Sequence, residues 1–207
     1  QKELGALVSD IGGGTTEFVV YLDGVIRFSG VLAIGGDHVS NDLGHGLKVP
    51  LSRAEKLKRE YGCAFVKEDS KGQTISLTNE LGLTLKQLNL EHLQRIMSLR
   101  LEELFEVIAH ELERAGLTDY LRAGILLTGG GSRVPGIDKL AERVFQMNVI
   151  HGHAVTVGGI TTALDQPEFA AGIGLVKYGS LKNRQRPAKT NLTSGLKSMV
   201  GRFLQRS

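Results

Sequence analysis

Asp10-Ile11-Gly12-Gly13-Gly14-Thr15-Thr16, answered far along the chain by Leu127-Thr128-Gly129-Gly130-Gly131-Ser132, is the stretch on which the fold turns. Each follows a short apolar run, Ala6-Leu7-Val8 in the first case and Ile125-Leu126-Leu127 in the second. A strand that ends in three glycines and a hydroxyl residue brings bare backbone N–H groups close to whatever sits there. Glycine permits that approach, and the positive φ it often needs. Phosphate is the usual occupant of such a nest. One such loop is also a common structural turn. Two of them, one opened by an acid, point to a nucleotide held between two loops.

Working outward from the first loop, residues 17–22 and 25–34 read as β-rich runs joined at Asp23-Gly24, a strong hairpin signal. The pattern predicts a helix over 37–47. A second opens after Pro50, with Ser52 as N-cap and Glu55 completing a capping box, and Gly62 ends it. Residues 63–83 read as short strands around a polar turn. Thr84 or Asn89 then caps a long amphipathic helix in which Leu93, Ile96, Leu99 or Arg100, Leu104, Val107, Ile108 and Leu112 keep helical spacing. After the strand at 124–127 and the second loop come a helix at 137–145, a short strand at 149–150 and a helix rich in small residues from Pro167.

Composition bounds the answer. The chain has 207 residues, 41% hydrophobic and 23% charged, which is ordinary for a globular protein. The single Cys63 allows no internal disulfide, which favours a reducing compartment. No run approaches a membrane span, and no stretch reads as a secretory signal. The chain reads as a piece of something longer. From Lys177 onward there are eight basic residues and no acidic ones, leaving 17 basic against 22 acidic residues before it. An acidic body thus carries a basic tail, which implies a separate anionic partner for the tail. The six histidines form no metal set; His151-Gly152-His153 reads as a surface turn, Cys63 as a small buried residue, and no catalytic triad order stands out.

Asp10 through Thr15 resembles the second phosphate loop of the actin-type ATPase superfamily. Leu127 through Ser132 resembles its adenosine loop, and Ala170-Ala171-Gly172 the helix connecting its two halves. Within that superfamily the chain is similar to the C-terminal half of the FtsA family of bacterial division proteins. The pointers are Ala54-Glu55-Lys56-Leu57-Lys58, Tyr61-Gly62-Cys63-Ala64 and the 116–131 run. The resemblance implies an α/β, ribonuclease-H-like half. Residues 1–47 and 115–179 would form the core nucleotide-binding subdomain, and 48–114 an inserted outer subdomain. It implies ATP and Mg²⁺ as ligands. Asp10 would help hold the metal, and Gly12, Gly13, Gly14 and Thr15 would donate to the β- and γ-phosphates. Glu55 and Lys58 would reach the ribose and adenine, while Gly129, Gly130, Gly131 and Ser132 would lie under the adenosine. Such a half alone would bind ATP weakly or not at all, and the family's members are at most slow hydrolases.

The resemblance further implies tethering of FtsZ filaments to the cytoplasmic face of the inner membrane, with self-assembly into filaments. Lys86, Arg95 and Arg100 are the basic residues that would meet the acidic, apolar C-terminal peptide of FtsZ. Leu83, Leu85, Leu88 and Leu90 nearby either pack in the core or form its groove. Residues 180–193 read from composition as a flexible linker. Beyond it, Leu196, Met199, Val200, Phe203 and Leu204 fall at i, i+3, i+4, i+7 and i+8, one apolar stripe flanked by Lys197, Arg202 and Arg206. A basic amphipathic helix over 194–207 fits a peripheral membrane anchor better than a nucleic-acid contact, which needs no apolar stripe. Pilus-assembly and rod-shape scaffolds would share both glycine loops without FtsZ-peptide binding. A DnaK-type chaperone would need a substrate domain after 179. A sugar kinase would need a sugar-binding aspartate upstream.

Overall fold

A computed structural model describes residues 4–78, 84–152 and 165–185. It divides into two compact units, one up to residue 171 and one from 172 onward. In the first, strands β1 (Ala6–Ile11), β2 (Thr16–Leu22) and β3 (Val25–Leu32) form the expected meander. Asp23 and Gly24 both take positive φ, as a type I′ hairpin turn requires. Helices α1 (Gly36–Leu47) and α2 (Leu51–Tyr61) follow. The small antiparallel pair β4 (Thr74–Thr78) and β5 (Thr84–Asn89) leads into the long helix α3 (Leu90–Arg114). Then come β6 (Ile125–Thr128), α4 (Ile137–Phe145) and β7 (Val149–His151).

The main sheet has the order β3-β2-β1-β6-β7. The meander is antiparallel, whereas β1 pairs with β6, and β6 with β7, in parallel. Alternation puts Leu7, Ser9 and Ile11 of β1, Phe18 and Val20 of β2, and Ile125 and Leu127 of β6 out of water. Their apolar members join one continuous core with α3 and α4. On α3 the buried stripe is Leu93, Met97, Leu101, Leu104, Phe105, Ile108 and Leu112. It turns slightly from the stripe read in the sequence, and Leu99 is exposed. The Phe105 ring meets Phe145 of α4 edge-on at 5.7 Å, a geometry favoured by the ring quadrupoles.

Three expectations need correction. The capping box at Ser52 and Glu55 does not form. Pro50 occupies the cap position with φ −58°, and its carbonyl accepts the Arg53 and Ala54 N–H groups at 2.9 Å each. The helix therefore starts at once, and Glu55 is left free for other partners. Residues 84–89 form a strand, and of the two candidate caps Asn89 is the one used: its Oδ1 accepts the His92 N–H at 3.0 Å. Finally, residues 180–185, read as linker, continue α5 (Ala170–Gln185). Leucine, lysine, arginine and glutamine are good helix formers, so polarity alone misled. Within the second unit, Lys182 Nζ lies 5.2 Å from the Tyr178 ring centroid. Among the described residues no helix is long and apolar enough to cross a membrane. Residues 186–207, with Leu196, Met199, Val200, Phe203 and Leu204, lie outside the described residues.

Candidate functional site

The parallel register sets Asp10 beside Thr128, so the two glycine loops leave the sheet side by side at the carboxyl ends of adjacent strands. That edge is where α/β sheets usually bind ligands. The first loop is closed by the Gly12 N–H donating to the Thr15 carbonyl at 2.9 Å, and Gly13, Gly14 and Thr15 are exposed. The second loop is pressed against the first. Gly129 has φ +81°, and a Cβ there would meet the Ile11 carbonyl oxygen at 2.5 Å and the Ile11 nitrogen at 2.7 Å. Gly131 sits equally close to the Ile11 side chain. Only glycine tolerates both the backbone angle and the approach. Ser132 is buried, and its Oγ donates to the Gly129 carbonyl at 2.8 Å, which shapes the turn from within.

The first turn of α1 locks onto the first loop. Gly36 N–H donates to the Gly12 carbonyl at 3.0 Å, and Asp37 N–H to the Gly13 carbonyl at 2.8 Å. Two of the helix's otherwise unpaired donors are satisfied this way. From α2, Lys58 Nζ donates to the Gly36 carbonyl at 2.8 Å and lies 2.6 Å from Glu55 Oε2. Ser40 Oγ of α1 donates to the same oxygen at 2.5 Å. Loop, α1 and α2 therefore form one hydrogen-bonded wall.

Between this wall and the second loop lies a cleft of about 560 Å³, within the usual size range of small-ligand sites. Gly12, Gly13, Glu55, Lys58, Gly130 and Gly131 line it, together with Gly35, Gly36, Asp37, Arg59, Arg133 and Glu168. Six residues singled out in the sequence thus meet around one space. Asp10, Gly14, Thr15, Gly129 and Ser132 are not among its lining residues. Thr15 Oγ1 donates to Glu17 Oε1 at 2.6 Å. Arg100, expected at a peptide surface, is in the cleft wall. Its guanidinium holds Asp42 through Nε at 2.5 Å and Nη2 at 3.1 Å, and Glu103 through Nη1 at 2.5 Å. Lys86 Nζ donates to the Leu47 carbonyl at 2.7 Å, and Arg95 is exposed. Leu88 and Leu90 are buried while Leu85 is exposed, so part of the leucine-rich stretch packs in the core; Leu83 lies outside the described residues.

Charge is distributed unevenly. Burial, and then the neighbouring Glu17, push the Asp10 carboxyl above its ordinary pKa. Burial would also raise Glu55, but hydrogen bonds from Lys58 and Ser40, with the charges of Lys58 and Arg59, outweigh it and hold Glu55 below its ordinary value. The cleft offers backbone N–H groups, lysine and arginine cations and the carboxylates of Asp37, Glu55 and Glu168, a set that suits a phosphorylated ligand with a hydroxylated ring. Among the described residues no three His, Cys, Asp or Glu side chains gather as a protein-only metal site would need. Sequence reasoning missed Gly35-Gly36-Asp37, Arg59, Arg133 and Glu168. The double glycine before α1 and the arginine following the second loop were available signals. Glu168 had none: it is brought in by Arg133 at 2.8 Å and by the Pro167 carbonyl, which accepts the Gly129 N–H and Thr128 Oγ1.

Comparison with known proteins gives a family model, "Cell division protein FtsA", matching residues 7–174. The FtsA of Pseudomonas aeruginosa is 38% identical over 182 residues, covering 88% of this chain and 44% of that protein. The FtsA of Escherichia coli K12 is 30% identical over 212 residues, covering 98% and 50%. The chain spans about half the length of the curated relatives it matches. Among solved structures, MreB5 of Spiroplasma citri bound to ADP superposes with a TM-score of 0.69 at 20% identity, covering 89% of this chain and 56% of that one. The PilM-PilN type IV pilus biogenesis complex gives 0.64 at 22%, covering 86% and 46%. These likenesses show the actin-like fold.

Proposed function

The chain belongs to the FtsA family of cell division proteins, and on that premise we propose that it supplies the nucleotide-clasping, FtsZ-engaging half of an actin-like membrane tether. The observation that carries this reading is the parallel pairing of β1 with β6, which sets both glycine loops across one cleft from Glu55 and Lys58. In this reading Gly12 and Gly13 face the terminal phosphates, Glu55 and Lys58 the ribose and adenine, and Gly130 and Gly131 the adenosine. The ADP in the MreB5 structure is support from a protein of the same fold.

Asp10 fits a Mg²⁺ ion bound through water. Its carboxyl is half-buried beside Glu17, with a raised pKa, so a cation there would relieve the repulsion. One or two carboxylates plus substrate phosphates are the usual Mg²⁺ arrangement. When bound, the ion offsets phosphate charge; the loops' N–H groups and Lys58 orient the nucleotide.

Residues 48–114 form the outer subdomain in this reading, with 1–47 and 115–179 as the core. Lys86 and Arg95 remain the residues offered to the FtsZ peptide, with Arg100 bracing the wall behind. Segment 194–207 would hold the protein at the cytoplasmic face of the inner membrane. Five apolar side chains at about 1.5–3 kcal/mol each when fully buried give a gross term that partial insertion and helix ordering reduce. Single tails would thus bind reversibly and filaments firmly. The test is co-sedimentation of the chain with anionic liposomes, beside a version ending at Asn191, with an FtsZ C-terminal peptide assayed in the same preparation. Tail-dependent sedimentation with peptide binding is expected. Folded protein that does neither would reduce the reading to a shared ATPase fold.

A further inference from the structure

The second half of α3 bears Glu102, Glu106, Ala109 and Glu113 at spacings of four, three and four residues, hence on one face. With the end of α4 and the turn carrying Asp119, that face encloses a groove of about 950 Å³ that shares no residue with the nucleotide cleft. Its floor is apolar: half-buried Ala109, Val144 and Met147 lie over the core. Its rim is acidic. Glu102 is already paired with Arg143 at 2.9 Å. Glu106, Glu113 and Asp119 are exposed and have no ion pair among the described residues. His110, also at the rim, brings at most a single positive charge.

We propose that this groove docks the basic, apolar segment 194–207 of a second copy of this chain. Charge complementarity selects that occupant. The segment holds Lys197, Arg202 and Arg206 and no acid, against three carboxylates without ion pairs. It also holds Leu196, Met199, Val200, Phe203 and Leu204, against an apolar floor. Opposite charge steers such an encounter, and buried apolar side chains hold it. The inference draws on the amphipathic reading of the tail but not on its affinity for lipid. Its consequence is that a tail stripe bound in a neighbour's groove is withheld from a membrane, so pairing through this groove competes with attachment, unlike filament formation, which leaves the tails free to bind together.

The test uses a fluorescent peptide of residues 194–207 and the 207-residue chain carrying Phe203→Asp, which keeps its own tail from competing. Anisotropy is read without lipid. Saturable binding that weakens as salt rises is expected. The host with Glu106→Lys and Glu113→Lys should bind about tenfold or more weakly, since each reversal replaces an attraction with a repulsion. A milder host, Glu106→Gln with Glu113→Gln, should fall between, and circular dichroism should show that both hosts fold. A peptide with Phe203→Asp should not bind. Absence of saturable binding to the folded host overturns the proposal, as does equal binding by the charge-reversed host. Liposome sedimentation in the same series is a separate readout, so failure of the groove and failure of the membrane reading are told apart.

Discussion

Gly129→Ala should damage the protein far more than Gly14→Ala, although both residues belong to glycine triplets. At Gly129 φ is +81°, a conformation costing an L residue about 1–2 kcal/mol. The added methyl would also stand 2.5 Å from the Ile11 carbonyl oxygen and 2.7 Å from the Ile11 nitrogen. Neither atom can swing aside, because both belong to the backbone of β1. Relief requires β6 to draw back from β1, an overpacking cost of roughly 1–3 kcal/mol. The sum is about 2–5 kcal/mol, or a fall in Tm of roughly 5–15 °C for a domain of this size. At Gly14 φ is not positive and a Cβ would meet nothing within 4 Å. Alanine there should leave stability within about 1 kcal/mol. Thermal unfolding followed by circular dichroism reads both. A Gly129→Ala protein melting within about 2 °C of the parent would refute the argument that the second loop rests on the backbone of the first.

Asp10→Asn should raise stability at neutral pH while weakening Mg²⁺-dependent nucleotide binding. The folded-state pKa of Asp10 is raised, so its contribution is most favourable at low pH and is lost as pH rises through that value; asparagine removes the loss, and denaturant titrations at pH 4 and pH 7 would expose the sign. Glu55 is the reverse case, with a lowered folded pKa: its stabilisation is present above its ordinary pKa and disappears as pH falls through the folded value. Glu55→Gln should therefore flatten the acid limb of the pH–stability curve, by a small amount because the carboxylate is partly exposed; an unchanged limb would count against the Lys58 and Ser40 contacts. Asn89→Ala should cost about 1 kcal/mol through the lost cap of α3, measured as a shift in denaturant midpoint at constant slope, and no shift would place the helix start elsewhere.

Local chemistry carried the elements that the sequence revealed. Asp23-Gly24 announced its hairpin, and Ile137 through Phe145 announced α4, because turn geometry and helical period are written in adjacent residues. The two glycine triplets could be paired from their shared pattern, but nothing local shows how they meet, which depends on the β1–β6 register. The lock between α1 and the first loop was illegible for a similar reason. It is made of backbone groups at Gly12, Gly13, Gly36 and Asp37, which every sequence possesses. Ser52 and Glu55 satisfied the capping pattern, yet Glu55 had better partners in Ser40 and Lys58, which are distant in sequence or on the inner face. Arg100 looked like a surface charge because nothing in its neighbourhood on α3 shows that Asp42 of α1 will stand opposite.

The pairing of β1 with β6 joins residues about 120 positions apart. Closing a loop of that length costs roughly 4 kcal/mol of chain entropy before any contact repays it. The hairpins of β1, β2 and β3, by contrast, close over a few residues each. On a ribosome the meander emerges well before β6, with the β6-facing edge of β1 bare and Leu7, Ser9 and Ile11 still exposed. The cleft between the glycine loops comes into being only when β6 arrives, after α3 has been made. Until then that bare edge is a template for any other strand in reach, so the interval between the two glycine triplets is also the period in which the nascent chain is open to mispairing and to chaperones that guard strand edges.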